Sequence, residues 1–480
     1  MGTRHRLTAG LPRMFADYDE SVTVGRSDGP LVTVYVVNRN YGRFLRQAVD
    51  SVLGQDYPFI EVLVIDDGSD DDASAGILAD LDDHAAVRVI RQRVNRGLTV
   101  CANTAIRESR GEFVMRLDAD DYLDPSAVST MVAEIVAVPS AVLVFPDYFE
   151  VDSRGAVIRR VKRHDVNALE AMSDLPAHGA CTLVRRSFLE GMGGYDERVN
   201  CQDGLDLWLH VGPEHRVLSI ADPLFFYRRH GSNLTQNEGA LLQARARLIA
   251  KHVARRGLDR PRVVGVVPVR GQIADPGSMP LRHLAGRPLI DWTIDAALSC
   301  SGVDRVVVSS PDIDVLDHVR QHYRSRVGVH RRDVERAGLN VDLAATRADV
   351  LRSEAAAGRH YDAEMTLTVE SPFRSALFML QAIHLMQLFD SGGVVGVRRD
   401  DEVFYLHNGL GLEPVRPDDR LRLERDDLFR ECGGMRLIKV APSPRGRLGH
   451  VLLDQFSAFA VRTEMDWRTA ELFAAGTERG

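Results

Sequence analysis

A strand signal followed by a helix signal recurs along this chain, first over residues 31–118 and again from residue 262. That alternation constrains the fold more than any other feature. "LVTVYVV" (31–37) is a β-branched run that reads as a buried strand. In "GRFLRQAVDSVLGQ" (42–55), Phe44, Leu45, Ala48, Val49, Val52 and Leu53 fall at helical spacing. There follow the strand "EVLVIDDGS" (61–69), a helix at 73–82, the strand "VRVIRQ" (87–92), the helix "TVCANTAIRES" (99–109) and the strand "EFVMRLD" (112–118). Such a series implies a parallel sheet with helices on both faces. Ligands collect at the carboxyl ends of the strands in sheets of this kind. The turns "VVNRNYG", "IDDGSD", "RVNRG" and "LDADD" all lie at those ends.

The second series opens with "RVVGVVPVRG" (262–271). It continues through the helix "RPLIDWTIDAALSC" (287–300), the strand "DRVVVSS" (304–310), a helix at 313–323, the strands "EMTLTVE" (364–370) and "GGVVGVRR" (392–399), and a helix at 375–389 between them. The chain has 480 residues, and a single core rarely grows past roughly 250–300. The expected fold class is therefore α/β, as two Rossmann-like α/β/α domains. Residues 1–29 are polar and aperiodic and read as a flexible arm. The first domain is placed at 30–236 and the second at 261–480. Between them, at 237–260, a long basic helix links the two and ends before Asp259, Arg260 and Pro261.

Composition narrows the function classes. The net charge of −8 gives no basic footprint for nucleic acid. Lys162, Lys251 and Lys439 are the only lysines, so cationic contacts fall to arginine, whose fork suits phosphates and carboxylates. Five scattered cysteines form no zinc spacing or disulfide framework, which fits a reducing cytoplasm. The first residues carry no signal-peptide core, and the longest apolar region, 131–145, is too short to cross a bilayer. The expected location is the cytoplasm, with a peripheral place at the inner face of the membrane left open.

"EFVMRLDADDYLDP" sets Asp118, Asp120 and Asp121 at the end of an apolar run. Carboxylates that close repel one another, so they either stay in water or share a cation. Residues i and i+2 of a strand point the same way, which lets Asp118 and Asp120 converge on one ion. Oxygen ligands of this kind suit Mg²⁺ or Mn²⁺ shared with phosphate oxygens. A bare acidic turn in solvent is the plainer reading, and the neighbouring motifs weigh against it.

In order and spacing, "VVNRNYGRFL", "EVLVIDDGSDD" and "NRGLTVCANTAIRESRGEFVMRLDADD" resemble the nucleotide-binding half of the family 2 glycosyltransferases, which have the GT-A fold. "SFLEGMGGYDERVNCQDGLDLWLHV" and "YRRHGSN" resemble that family's acceptor-side and closing segments. The resemblance implies an inverting, metal-dependent transfer of a sugar from a nucleotide-diphosphate sugar to the hydroxyl of a carbohydrate, lipid-linked or small-molecule acceptor. It implies that Asp67, with Asp66 nearby, holds the nucleotide base and that Asn38, Arg39 and Asn40 line the nucleotide. By the same resemblance Arg96 approaches the diphosphate, and Asp118, Asp120 and His230 hold Mn²⁺ or Mg²⁺. Asp203 is then the general base, in "QD" where the family often has Glu-Asp. Asp206 could bind a sugar hydroxyl and Trp208 could stack on a ring, or Trp208 is core.

The second half, from "VVGVVPVRGQIADPGSMPLRH", looks like an acylneuraminate cytidylyltransferase, the CMP-sialic acid synthetase type. "LTVESPFR" (367–374) and "AFAVRTEMDWRTAELF" (458–473) resemble its later segments. The loop after its first strand has no lysine, and the family's closing acidic pair reads Ala460 and Arg462. An arginine cannot hold Mg²⁺, so the domain is expected to bind a nucleotide or sugar acid without chemistry, through Arg270, Ser371 and Arg374. Assembly, including a homodimer, is a second use. A bifunctional enzyme that also makes a CMP- or NDP-activated sugar, and a non-catalytic sugar-nucleotide-binding protein, are the alternatives.

Overall fold

The computed structural model describes residues 29–163, 179–212, 214–231, 237–275, 277–334, 343–400, 402, 404–407, 409–415, 428–441 and 448–477. All but the last residue of the expected arm, and residues 232–233 of "YRRHGSN", lie outside them. The first sheet is built from β1 (Val32–Asn38), β2 (Ile60–Asp66), β3 (Val87–Arg91), β4 (Phe113–Asp118), β5 (Tyr122–Leu123), β6 (Ala141–Val151), β7 (Val157–Val161), β8 (Leu183–Arg185) and β9 (Arg216–Arg228). Its order is β3-β2-β1-β4-β8-β6-β9-β5, with β7 on β6. The β-branched runs form the parallel part, β3-β2-β1-β4; β1, β2 and β4 are buried on both faces, and the edge strand β3 is only partly covered. Helices Gly42–Leu53 and Leu98–Glu108 belong to two different apolar clusters, one on each face of that sheet. The expectation of a parallel sheet over 31–118 thus holds, and the rest of the sheet adds antiparallel strands. β8 runs antiparallel to β4 and β6, and β5 runs antiparallel to β9. The sheet is mixed.

The second sheet has the order Val327–Arg331, Arg305–Ser310, Val263–Pro268, Ala363–Leu367, Leu428–Lys439, Gly393–Asp400, Leu448–Leu452. It too is mixed, because Leu428–Lys439 enters antiparallel to both of its neighbours. The helix Glu238–Arg255 lies against Asp203–His210 on one side and Ala376–Phe389 on the other. Its Leu242, Leu248 and Ile249 share one apolar cluster with Leu205 and Leu209 of the first half and Ile383 and Leu385 of the second. Burial of one face explains why this arginine-rich helix is ordered.

Candidate active site

The carboxyl ends of β1, β2 and β4 meet in one place. Asn38, at the end of β1, is fully buried, and its amide donates to Asp66 Oδ1 at 2.8 Å, Ser69 Oγ at 3.0 Å and Ser74 Oγ at 3.2 Å. Asp66 also accepts from the Ser69 hydroxyl and backbone N–H. These two residues, expected at the nucleotide, fasten the first loop to the second. Asp67 accepts the backbone N–H groups of Arg96 (2.7 Å) and Gly97 (2.9 Å), one on each carboxylate oxygen, and so fixes the third loop. Gly97 needs its φ of +93°, and a Cβ there would collide with the Asn200 side chain. Arg39 donates to the Asp67 carbonyl. Asn40, at φ +60°, exchanges hydrogen bonds with Asp70. Arg39, Asn40 and Arg96 remain on the outer side of this frame.

β4 ends at Asp118, and Asp120 lies in the turn beyond. The i, i+2 pair on the strand is therefore Arg116 and Asp118, not Asp118 and Asp120. Asp120 Oδ2 lies 2.9 Å from His230 Nε2. Asp121 Oδ1 accepts the Arg228 backbone N–H at 2.8 Å, and the Arg228 Nε–H donates to the Asp120 carbonyl at 2.7 Å. Two charge-assisted contacts thus staple the end of β9 to the acidic turn. Partial burial and the neighbouring Asp120 and Asp203, opposed by Arg116, push the Asp118 carboxyl up to about 6. Burial, then Asp120 and Asp118, push Asp121 higher still. Asp121 Oδ2 is buried without a hydrogen-bond partner. Crowded carboxylates with an imidazole beside them are the donor set of a hard divalent cation. The donor chemistry of Asp118, Asp120 and His230 suits Mn²⁺ or Mg²⁺, but their ligand atoms do not all gather within metal-binding distance of one another; among the described residues, Asp206, His210 and His252 do.

Asp203 opens the helix Asp203–His210 after Gln202, which takes the left-handed conformation at φ +64°. Its carboxylate is 7% exposed. Oδ2 accepts from the Arg116 guanidinium at 2.5 Å, and Arg116 Nε lies 3.0 Å from Asp118 Oδ1. One buried cation therefore joins the acidic turn to the helix, a link that sequence reading missed. Its one signal was an arginine two residues before Asp118 in an otherwise apolar strand.

Asp206, expected on the acceptor side, lies elsewhere, and Trp208 takes the second of its two expected places, the core. Asp206 accepts from Lys251 Nζ at 2.9 and 2.8 Å and pairs with His252 Nε2 at 2.8 Å, inside the junction with Glu238–Arg255. Trp208 packs edge-on against Phe145 in the core. Asp206 is held by partners from the helix Glu238–Arg255. In the second half, Arg374 is also corrected. It is buried, and its guanidinium donates to the carbonyls of Thr368, Gly433 and Gly434, which makes it a clamp on the chain. Ser371 is buried beside it. Arg270 is the one of the three left half-exposed at a strand end, 3.6 Å from Asp275. Burial, then Arg270, lower the pKa of Arg332, a second cation there that the sequence did not single out.

Comparisons with known proteins agree with the first half of this picture. Residues 33–193 match the model of glycosyl transferase family 2, and residues 279–342 match that of the cytidylyltransferases. Chondroitin synthase of Escherichia coli is 30% identical over 220 residues, which is 45% of this chain and 31% of that protein. The O-antigen biosynthesis protein RfbC of Myxococcus xanthus is 28% identical over 240 residues, 48% of this chain and 18% of that protein. The chain thus spans less than a third of either relative's length. Among solved structures, S. aureus TarS in complex with UDP aligns at 17% identity and a TM-score of 0.37, over 46% of this chain and 65% of that one. A mannosyltransferase from Pyrobaculum calidifontis, in complex with GDP-Man and Mn²⁺, aligns at 23% identity and a TM-score of 0.37, over 48% and 65%. No described helix is long and apolar enough to cross a membrane. Taken with the ordered strand-end motifs, the matched model identifies residues 33–193 as a family 2 glycosyltransferase domain.

Proposed function

We propose that the protein is an inverting glycosyltransferase that uses Mn²⁺ or Mg²⁺ to move a sugar from a nucleotide-diphosphate donor to an acceptor hydroxyl. The observation that carries this reading is the pair of contacts at the carboxyl end of β4, where Arg116 joins Asp118 to Asp203 and His230 meets Asp120. When bound, a divalent cation would offset the charge that builds on the departing diphosphate. Arg39, Asn40 and Arg96 face the side where the nucleotide would lie. Asp203 keeps Oδ1 without a hydrogen bond among the described residues, and that oxygen would take the proton of the acceptor hydroxyl. The incoming hydroxyl then displaces the diphosphate in one in-line step, with inversion at the anomeric carbon. The names of the relatives support a polysaccharide acceptor. The test is release of nucleoside diphosphate from UDP-, GDP- and dTDP-sugars with Mn²⁺, with and without oligosaccharide. No release from any donor would refute the reading.

For the second half we propose binding or assembly rather than nucleotide transfer. Ala460 and Arg462 replace the acidic pair, and Asp466 accepts the Arg462 and Thr463 backbone N–H groups as a helix start. Pyrophosphate release by the full chain from CTP and sugar acids would overturn this. Self-association is favoured by the hairpin Tyr405–His407/Leu412–Pro414, which exposes Tyr405, Leu406 and Leu412. An exposed apolar patch of this kind marks an interaction surface, and light scattering reads the outcome.

A further inference from the structure

The buried guanidinium of Arg116 has a place in this site that none of the motif roles covers. Its side chain is 4% exposed and touches two carboxylates with different tasks. Nε and Nη2 face Asp118 at 3.0 and 3.4 Å, and Nη1 faces Asp203 Oδ2 at 2.5 Å. The strand register fixes this arrangement. Arg116 sits opposite Tyr35 of β1 and points, with Asp118, to the side where the helix Asp203–His210 begins. The backbone makes room for it: a Cβ on Gly179 would lie 2.4 Å from Asp203 Oδ2 and 3.3 Å from Arg116 Nη2.

An ordinary core would not accept an arginine here. Burying a cation costs several kcal/mol unless partners satisfy it, and an apolar residue would serve the strand better. A base gains nothing in proton affinity from a neighbouring cation, so the arrangement is not explained by basicity. What the contact does supply is orientation. A carboxylate at a helix start can rotate, and a base acts only when one oxygen meets the acceptor hydroxyl. With Oδ2 fixed by Nη1, Oδ1 is left for the hydroxyl. Because the other edge of the same rigid fork grips Asp118, the base is referenced to the donor side and not only to its own helix. Lysine could not do this, having one ammonium in place of a planar fork.

We infer that Arg116 is the positioning residue of the transfer reaction, a fork that holds Asp203 in register with the donor-side carboxylate Asp118. This rests on the transfer reading above. It predicts a loss in turnover without a matching loss in donor or cation binding. Arg116→Met and Arg116→Lys are compared with the wild type in the full chain. Three quantities are read: nucleoside diphosphate release from UDP-GlcNAc and GDP-Man, Mn²⁺ binding by electron paramagnetic resonance, and thermal unfolding.

The expected result for Arg116→Met is a fall in kcat of about a hundredfold, with donor KM and Mn²⁺ affinity within about threefold of wild type. Arg116→Lys keeps the charge and so guards against misfolding of the methionine variant. It is expected to fold, to bind Mn²⁺ as the wild type does, and to lose about tenfold in kcat. Wild-type kcat in Arg116→Lys would overturn the inference. So would loss of Mn²⁺ binding in step with kcat, since Arg116 would then only hold the acidic turn together. A wild-type protein that releases no nucleoside diphosphate would overturn the transfer reading and this inference with it. The wild-type arm separates that failure from one confined to Arg116.

Discussion

His230 Nε2 lies 2.9 Å from Asp120 Oδ2 across 110 residues of chain. The imidazole is held edge-on to Tyr41 and tilted over Phe44, each at 5.4 Å between ring centroids. The segment after β9 thus brings a nitrogen donor to a turn that otherwise offers only oxygen. In His230→Ala, Mn²⁺ affinity is expected to fall about 10–100-fold, the usual cost of removing a group that holds or orients a metal ligand. In Asp120→Ala, metal-dependent release of nucleoside diphosphate should disappear. Mn²⁺ titrations of the release rate check both.

Asp203 separates binding from chemistry. Asp203→Asn keeps the size of the side chain and can still receive a hydrogen bond from Arg116, so the helix start should survive. A general base typically contributes 10²–10⁴-fold, and a fall in kcat of about that size is expected with nucleotide affinity unchanged. Single-turnover rates set beside equilibrium binding of UDP or GDP measure the split. Turnover at the wild-type rate would remove Asp203 from the role of base.

The acidic turn should respond to pH in a stated direction. Asp118 is pushed up to about 6 by partial burial, against Arg116 and with Asp120 and Asp203 adding to the rise. The folded chain therefore holds this proton more tightly than the unfolded chain, whose Asp titrates near about 4. Asp118 weakens the metal-free fold above about pH 6, and that penalty is relieved as pH falls from 6 toward 4. A divalent cation reverses the penalty where the carboxylate is ionised and must displace the proton where it is not. Mn²⁺ should raise the melting temperature at about pH 7.5 and have little effect at about pH 5. A shift of equal size at both pH values would place the cation elsewhere.

Much of this was legible in the sequence, and the rest fails for identifiable reasons. The helix at 313–323 and the strands near 31–37, 304–310 and 392–399 appear where β-branched runs and apolar spacing put them. β9 was not legible, because Pro223 and irregular register on β6 break the strand pattern. The helix Ala127–Ala137 has apolar residues in most positions and no clear period. At the candidate site, ordered motifs single out Asp118, Asp120 and Asp203. They do not single out the partner: Arg116 and Asp203 are 87 residues apart, and only the strand order brings them together. Composition and spacing say what a residue can do, and topology decides what it faces.

The same principle governs Asp206, which spacing set beside the base and the fold set in the domain junction. Lys251 donates to both of its oxygens, His252 meets one of them, and Asp196 adds a backbone N–H. Burial alone would raise the Asp206 carboxyl, but the His252 and Lys251 contacts outweigh it and hold it below the usual carboxylate range. Its contribution to stability is therefore present above the unfolded value near about 4 and is lost as pH falls through the lower folded value. Asp206→Ala would leave Lys251 without its counter-ion in the junction, a loss expected to cost about 3–5 kcal/mol. Urea unfolding should show that loss, while UDP and Mn²⁺ binding at low temperature should stay as in the wild type. A variant with unchanged stability and a raised acceptor KM would return Asp206 to the acceptor side. The 2.8 and 2.9 Å contacts to Lys251 argue for the junction.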